Sequence, residues 1–571
     1  MKKYFSYIIV LLVWGNVFIF SQTQLSVPLN NRVYELLDYA HIKGLIDQLP
    51  TKKPYAHNTV LKLFDEIFAS GRLTPAEYAV FEKARRSLVP AVSKTPIYSA
   101  GKYRREYEGA SAELGGYWTS DFSANLNAPS LSQRHWLGVY AQGDIGPAFS
   151  YKYDLGMGLM RLRHNAYPVN TYSKDFDAIQ ILLTKENYNY AVTSEKLAAG
   201  IRMEPELALS LYKNKIHINF SRVRRDWGAG DGNIILSKTA RPFIAADFSV
   251  RPLPWLNFYY INGILEFLGP NLKTKAEEFQ LTYGASSVEL LFGKYGFFNL
   301  TSSVLYPKRS EMGYWHPALF PVLYQFYIGD FDNMQLGLAA GGTMPKYLRI
   351  YASVFTDELN FLPNDFFHKD RNMYVFQAGI KGILPFLPLG TAVLQYTKVE
   401  PYMYTHPLTD VPWYNKKVDT TYINHGEPLG YKADPNSDEL KVKVSAIPLT
   451  YLDVQGTYTM VRHGTTYGND PVDGSSFADR LDYSGNLNNA QEGQKYYKNF
   501  LRDGTYQWIH SLGIVLNMDV KEVLKLPLPL CLSVGYTLSY SYHTDKNIRH
   551  VKNADYKDLL TNYLSLSFRI Y

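Results

Sequence analysis

Several things are scarce in this 571-residue chain. There is one cysteine, Cys531, so no internal disulfide can form; its strand-like surroundings mark it as a buried or lipid-facing apolar residue. Beyond the N-terminus no stretch approaches the ~20 apolar residues of a membrane-spanning helix. Charged residues make up only 19%, and the net +7 is scattered without a long basic run, which argues against a nucleic-acid partner. No Gly-x-x-x-x-Gly-Lys-Ser phosphate loop, no Cys/His zinc spacing and no Gly-x-Ser-x-Gly elbow occurs. The sequence therefore offers no cofactor site, no metal site and no enzyme signature.

Aromatic residues, in contrast, are abundant: 48 tyrosines, 30 phenylalanines and 8 tryptophans, 15% of the chain. Tyrosine suits positions that are apolar on one side and wet on the other. Residues 1–21 have the form of an export signal, with Lys2 and Lys3 before the apolar run Tyr7 to Phe20 and a cleavage point near Ser21-Gln22. A membrane anchor is the rival reading of that run.

Residues 30–90 carry a 3.6-residue period. Val33, Leu36, Leu37 and Ala40 lie on one helical face, with Gly44 as a stop. Val60, Leu61, Phe64, Ile67 and Phe68 make a second stripe, and Thr74-Pro-Ala-Glu77 is a capping box that opens a third helix through Tyr78, Phe81 and Leu88. Three short helices bury little alone, so they are expected to pack on each other and on the rest of the chain.

From about Ser99 the period changes to two. Roughly ten-residue alternating segments follow, among them His135–Gln142, Ala148–Leu155, Glu204–Tyr212, Ser287–Gly293, Leu348–Phe355, Leu440–Ala446, Leu452–Tyr458 and Leu532–Tyr540. One face of most is apolar or aromatic, and the other carries Ser, Thr, Gln, Lys, Glu or Gly. Long strands with a wet inner face are what a transmembrane barrel requires, because lipid tolerates only sheets without edges. In the last segment Leu564, Leu566, Phe568 and Ile570 are expected to face lipid, and Ser565, Ser567 and Arg569 the lumen. The fold class expected is mainly β: a transmembrane antiparallel barrel over 96–571 with a helical segment over 22–95.

The most unusual stretch is Arg224-Arg-Asp-Trp-Gly-Ala-Gly-Asp-Gly-Asn-Ile-Ile-Leu-Ser-Lys-Thr-Ala-Arg-Pro242. It follows a strand in which Ile216, Ile218, Phe220 and Arg222 share one parity and His217, Asn219 and Ser221 the other. Gly228, Gly230 and Gly232 permit tight turns or close backbone approach. The stretch reads as a structural motif, with Trp227 and the glycines in a constrained corner re-entering the wall through Ile234 to Ser237, and Arg224, Arg225 and Asp226 as candidates for plug-locking or luminal pairing.

On these pieces the chain resembles the Wzi-type capsule assembly proteins. The resemblance rests on Val27–Tyr34, Gly44–Pro50 and Lys53-Pro-Tyr55, then on Trp227–Ser237 with Ala240-Arg-Pro242, Asp330-Phe-Asp-Asn333 and Val354–Leu359. It continues through His425–Gly430, Pro435–Asp438 and Arg462-His-Gly464. It implies an outer-membrane barrel of about eighteen strands, closed at its periplasmic end by the helical segment as a plug. It also implies a lectin-like role in holding capsular polysaccharide. The chain departs from the family in its many tyrosines and in long polar insertions such as Thr184 to Lys196 and Tyr467 to Gly493, which puts the identity of the glycan in doubt.

Candidate site residues follow from chemistry. Tyr402, Tyr404, His406, Trp413 and Tyr414 combine flat rings with hydrogen-bonding groups, as pyranose faces require, although barrel girdles need aromatics too. Asp330, Asp332 and Asn333 have oxygen ligands at close spacing but lack the full calcium-loop pattern, so a luminal hydrogen-bond cluster is expected. Asp357 and Glu358 are adjacent strand residues that point to opposite faces and cannot flank one glycosidic bond. Ser237 with His316 or His510 is the only hydrolase set worth testing, and nothing in the sequence links them. Arg134, Lys152, Arg161 and Arg163 are candidates for lining the lumen, either attracting acidic sugars or pairing with luminal carboxylates. The expected partners are a surface polysaccharide, outer-membrane lipid and the outer-membrane assembly machinery, for a monomer that binds rather than catalyses. The alternative is a porin or solute channel.

Overall fold

A computed structural model describes residues 24–570 apart from 89–96, 163–179, 182–195, 266–279, 358–372, 407–408, 412–415, 425–426, 466–473, 477–499, 501–504 and a few single or paired positions. The export-signal residues, Asp330, Glu358, Trp413, Tyr414 and Arg163 lie outside the described residues.

Eighteen antiparallel strands close into one barrel. They are β1 Ala110–Asn125, β2 Ser130–Ile145, β3 Phe149–Leu162, β4 Lys196–Leu211, β5 Ile216–Val223, β6 Phe243–Leu253, β7 Leu256–Ile264, β8 Leu281–Leu291 and β9 Gly296–Pro307. The second half comprises β10 Asn333–Met344, β11 Leu348–Asp357, β12 Met373–Leu384, β13 Gly390–Val399, β14 Ser437–Leu449, β15 Leu452–Thr465, β16 Thr505–Asp519, β17 Leu530–Thr544 and β18 Leu559–Ile570. The seam pairs β18 with β1, from Tyr563↔Asn125 to Ile570↔Trp118. Below it, Lys102–Tyr107 pairs with the first residues of β1 and continues the line of β18 past the chain end.

Short turns gather at one end, as between β2 and β3 or β10 and β11, and long connections at the other. In barrels of the outer-membrane type the short turns face the periplasm. Every alternating segment named above falls largely within a strand, because closure leaves each backbone group a partner while the side chains alternate between lipid and lumen. Leu137, Met157, Leu207, Phe220, Leu338, Leu394, Leu512 and Leu564 are exposed on the outer face. Cys531 differs from expectation: it pairs with Arg569 and shares the inward parity of Ser533 and Thr537, half-buried at the periplasmic end. Arg161 pairs with Gln133 on the outward parity, whereas Arg134 and Lys152 face inward, beside Asp121 (3.4 Å) and Asp154 (3.7 Å).

The periodic N-terminal stripes form α1 (Val33–Lys43), α2 (His57–Ala69) and α3 (Pro75–Leu88). Gly44 ends α1 in the left-handed conformation, φ 76°. The capping box closes as its residue types require, with Thr74 N–H donating to Glu77 Oε2 (2.8 Å) and Glu77 N–H to Thr74 Oγ1 (3.3 Å). Phe64 and Phe81 are buried edge-to-face with centroids 5.9 Å apart; burial of each contributes about 1.5–3 kcal/mol. The wall residues Leu389 and Ile447 join this cluster, so the helices complete their core with the barrel. Tyr78 is the exception: it is exposed, with its ring edge-on to Phe68.

Candidate functional site

The N-terminal segment is seated across the short-turn mouth by polar tethers around most of the wall. Gln24 N–H donates to Ser150 Oγ on β3 (2.7 Å), and Ser26 N–H to Glu206 on β4 (2.8 Å). Glu289 on β8 accepts from both the N–H and the hydroxyl of Thr51 (2.7 Å each), and Asn299 on β9 donates to the same hydroxyl (2.7 Å). Asp38 on α1 pairs with Arg349 on β11 (2.9 Å) and Lys381 on β12 (2.6 Å). Glu35 meets Lys443 on β14 (2.8 Å), Arg32 meets Asp453 on β15 (3.5 Å), and Lys83 meets Asp519 at the end of β16 (2.9 Å).

Burial opposes ionisation of Asp38, but Lys381 and Arg349 outweigh it and hold the carboxyl well below the ordinary range. His41 accepts from Arg349 (2.7 Å), which requires a neutral ring. Burial first, then the Arg349 charge, push its pKa down to about 3.

The stretch 224–242, between β5 and β6, turns into the lumen; Ile234 to Ser237 do not re-enter the wall as expected but pack inside the barrel, and the wall resumes at Phe243. Asp226-Trp227 pairs with Lys52-Lys53 of the N-terminal segment, and the Lys52 ammonium lies 5.0 Å from the Trp227 ring centroid. Trp227 N–H donates to Leu236 O (2.8 Å), closing the loop on itself. Asp226 accepts from Asn233 (2.7 Å) and from Lys238 N–H (3.1 Å), so it organises the tip from within. Arg225 clasps Asp247 through Nε (2.8 Å) and Nη2 (2.6 Å), and Arg224 donates to Lys238 O and Ala240 O. Of the three charged residues, Arg225 pairs with the wall, whereas the side chains of Arg224 and Asp226 bond within the stretch itself.

The glycines have separate uses. Gly232 has φ 87°, a conformation costly for other residues. At Gly230 a Cβ would run into Gln377, whose amide instead donates to Gly232 O (2.8 Å). Gln395 on β13 accepts from Asp231 N–H (2.8 Å), and Lys441 on β14 donates to Asp231 O (2.8 Å). β14 lies nine strands from β5 in the eighteen-strand circuit, so the loop crosses the lumen from side to side. The Asp231 carboxylate, 2.5 Å from Lys238 and about 4 Å from Lys441 and Lys443, is held well below the ordinary range against the opposing effect of burial.

A second inward segment, between β13 and β14, fills the lumen on one side of this bar. Tyr404 donates to Ile234 O (2.7 Å), Tyr422 to Ile235 O (2.8 Å), and Ser237 N–H to Leu429 O (2.9 Å). Tyr404 and Tyr422 stack with centroids 5.5 Å apart, and Tyr402 is buried beside them in a cluster with Phe355, Val375 and Tyr283. His406 is buried against Thr420 Oγ1 (2.9 Å). Tyr402, Tyr404 and His406 therefore brace the inward segments and present no open ring face for a sugar to stack on.

Wall residues record the asymmetry. On β8–β13, inward Thr301, Ser303, Gln335, Asp357, Gln377 and Gln395 are all buried. On β15–β18, inward Gln455, Thr457, Ser511, Thr537 and Ser567 are partly exposed and Ser565 is exposed. The lumen is packed along β8–β13; along β15–β18 part of it keeps a wet surface of hydroxyls, although Ser539, Ser541 and Thr561 are buried there.

Asp332 and Asn333 separate, as neighbours on a strand must. Asn333 points inward, donating to Thr420 O (2.8 Å) and accepting from Gln335 (2.6 Å), which also reaches Asp357 (3.3 Å). Asp332 turns to the other side and takes a two-point contact from Arg309 (2.9 and 2.5 Å) with Tyr314 OH (3.0 Å). Of the residues expected in a luminal cluster, Asn333 is there, joined through Gln335 to Asp357, and Asp332 is not; Asp330 lies outside the described residues. Among the described residues no group of three or more His, Cys, Asp or Glu is placed to hold a metal ion. Ser237 is buried in the inward loop, His316 lies on an outer loop, and His510 faces outward beside Trp508, so the hydrolase set does not assemble.

No protein-family model matches the chain, and no curated protein does. Among solved structures it is similar to Wzi of Escherichia coli, an outer membrane protein involved in group 1 capsule assembly and described as a carbohydrate-binding β-barrel. That match has a TM-score of 0.52 at 12% identity over 95% of this chain and 99% of the other. Weaker similarity extends to the Pseudomonas aeruginosa outer membrane proteins OpdK (TM-score 0.40, 9% identity, 81% and 98% covered) and OprD (0.42, 9%, 80% and 92%). What the chain shares with the first of these, almost end to end, is its fold: a closed β-barrel of the outer-membrane type.

Proposed function

We propose that this protein is an outer-membrane barrel that binds and anchors a capsular or exopolysaccharide at the cell surface, without catalysing a reaction. The observation that carries this reading is the bar formed by 224–242, locked from beneath by the tethered helical plug and from beside by the second inward segment. Such a lumen favours holding over passage. The partly exposed inward hydroxyls of β15–β18, among them Thr457, Ser511 and Thr537, suit hydrogen bonding to sugar hydroxyls. The similar E. coli barrel is itself described as carbohydrate binding. In this reading the chain is a monomer exported by its N-terminal signal and inserted by the outer-membrane assembly machinery.

Deleting the gene should release polysaccharide from cells while synthesis continues, and purified protein should retain polysaccharide in a pull-down. Unchanged retention in both would overturn the proposal. The wet strip along β15–β18 favours a second reading, a solute channel. Planar-bilayer recordings separate the two: negligible conductance supports anchoring, and large stable pores support the channel.

A further inference from the structure

The connection between β9 and β10 folds down the outside of the barrel. Outward positions on β7–β10 are recognised by register: Tyr260 opposes Ser286, Ser286 opposes Ser302, and Ser302 opposes Leu336; one step higher, Asn262, Gly284, Val304 and Met334 line up. Several of these are polar on a face where lipid demands apolar residues, and Ser302, Val304 and Tyr306 are 0% exposed. The connection covers them. Tyr260 OH and Asn262 donate to Tyr314 O (2.6 and 3.2 Å), and Ser286 donates to Leu319 O (3.4 Å). Ser302 Oγ accepts from Val322 N–H (3.1 Å), in the first turn of a helix, α4 (Pro321–Ile328). Arg309, Asp332, Glu311, Tyr314 and Tyr324 join the two ends of the connection in one ion-paired group.

α4 is turned inside out relative to a helix on a soluble protein. Its buried positions include Gln325, which donates to Asp332 O (3.2 Å). Its free face carries Leu323 at 51%, Phe326 at 78% and Tyr327 at 85% exposure, at i, i+3 and i+4, with Met312 and Trp315 exposed nearby. Directly below the covered area, Leu300 and Leu338, opposed in register, are exposed members of the lipid-facing belt. Two residues along a strand span about 7 Å, so the helix face continues that belt without a polar break.

We propose that the 308–332 connection is a membrane-immersed outer wall, with α4 lying in the acyl region of the outer leaflet and Leu323, Phe326 and Tyr327 in contact with lipid chains. The polar wall behind it is tolerated because α4 and its flanks supply the hydrogen-bond partners that lipid lacks. The inference depends on the barrel spanning a bilayer and stands whatever the lumen binds.

The test uses full-length protein carrying Cys531→Ser and a single new cysteine at Phe326→Cys, Tyr327→Cys or Leu323→Cys, labelled with an environment-sensitive fluorophore. Leu338→Cys serves as the belt reference and Ile548→Cys, in an outer turn, as the aqueous reference. Samples are reconstituted into phosphatidylcholine vesicles with and without acyl-chain nitroxide lipid, and heat-modifiable migration confirms folding of each variant. The expected result is nitroxide quenching within twofold of the Leu338 site, and iodide quenching at least threefold weaker than at Ile548. Iodide quenching equal to that at Ile548 would overturn the proposal. So would protection from both quenchers with self-quenching between labelled copies, which would place a second copy of the chain on this face.

Discussion

Replacing Asp38 by Asn should unseat the plug. The Asp38 carboxylate is the acceptor for both Arg349 (2.9 Å) and Lys381 (2.6 Å), and all three side chains are about nine-tenths buried. Removing one partner of such a group leaves uncompensated buried charge and costs on the order of 3–5 kcal/mol. Here two cations lose their counter-charge by one change; Arg349 is left with the neutral His41, and Glu35 near Lys381 is already engaged by Lys443 at 2.8 Å. If that cost falls on docking, the undocked population rises by about two to four orders of magnitude. Limited proteolysis of residues 24–88 in reconstituted protein, with hydrogen exchange of α1 as a second readout, measures it directly. A triple variant, Asp38→Leu with Arg349→Met and Lys381→Met, should recover most of the protection, because an apolar replacement of a buried ion group is often neutral or stabilising. Equal cleavage rates for wild type and Asp38→Asn would refute the reasoning, as would a triple variant no better protected than the single one.

Glu289→Ala removes the acceptor of Thr51 N–H, Thr51 Oγ1, Asn257 (2.8 Å) and Tyr259 (3.0 Å), so the Thr51 connection should exchange its amide protons at least tenfold faster, read by hydrogen exchange. Acid should loosen the same interface. His41 has an ordinary value of 6.5 and a folded value of about 3; between those limits the unfolded state binds more protons, so the stabilisation is complete above about pH 6.5 and is lost as pH falls toward 3. At pH 5 the loss is about 2 kcal/mol, to be read as faster plug proteolysis than at pH 7.5 using an acid-tolerant protease, and much reduced in His41→Gln. Gly430→Ala would drive a Cβ into Ile234 O and the Tyr404 hydroxyl, so it should separate the two inward segments and lower the melting temperature by several degrees by heat-modifiability; an unchanged melting curve would show that this junction is not tightly packed.

Local chemistry made the architecture legible. Alternation along Leu440-Lys-Val-Lys-Val444 alone tells that Lys441 and Lys443 share a face, and a wet face opposite an apolar one on long strands leaves lipid as the natural solvent for the latter. The helical stripes, Gly44 and the Thr74–Glu77 box were equally readable, since period and capping are properties of neighbouring residues. The Arg224–Pro242 stretch announced itself through its glycines and charges, but not its destination. Its partners Lys52, Gln377, Gln395 and Lys441 lie far away in sequence, and only closure of the barrel brings them to one diameter. Tyr402 and Tyr404 carry the same rings whether they sit on a rim or in a core; the inward fold of their segment decided that they brace it. Asn262, Ser286 and Ser302 break the apolar parity, a signal that something covers the wall there. The identity of the cover, the helix at Pro321–Ile328, was fixed by packing across strands, which the order of residues along the chain does not encode locally.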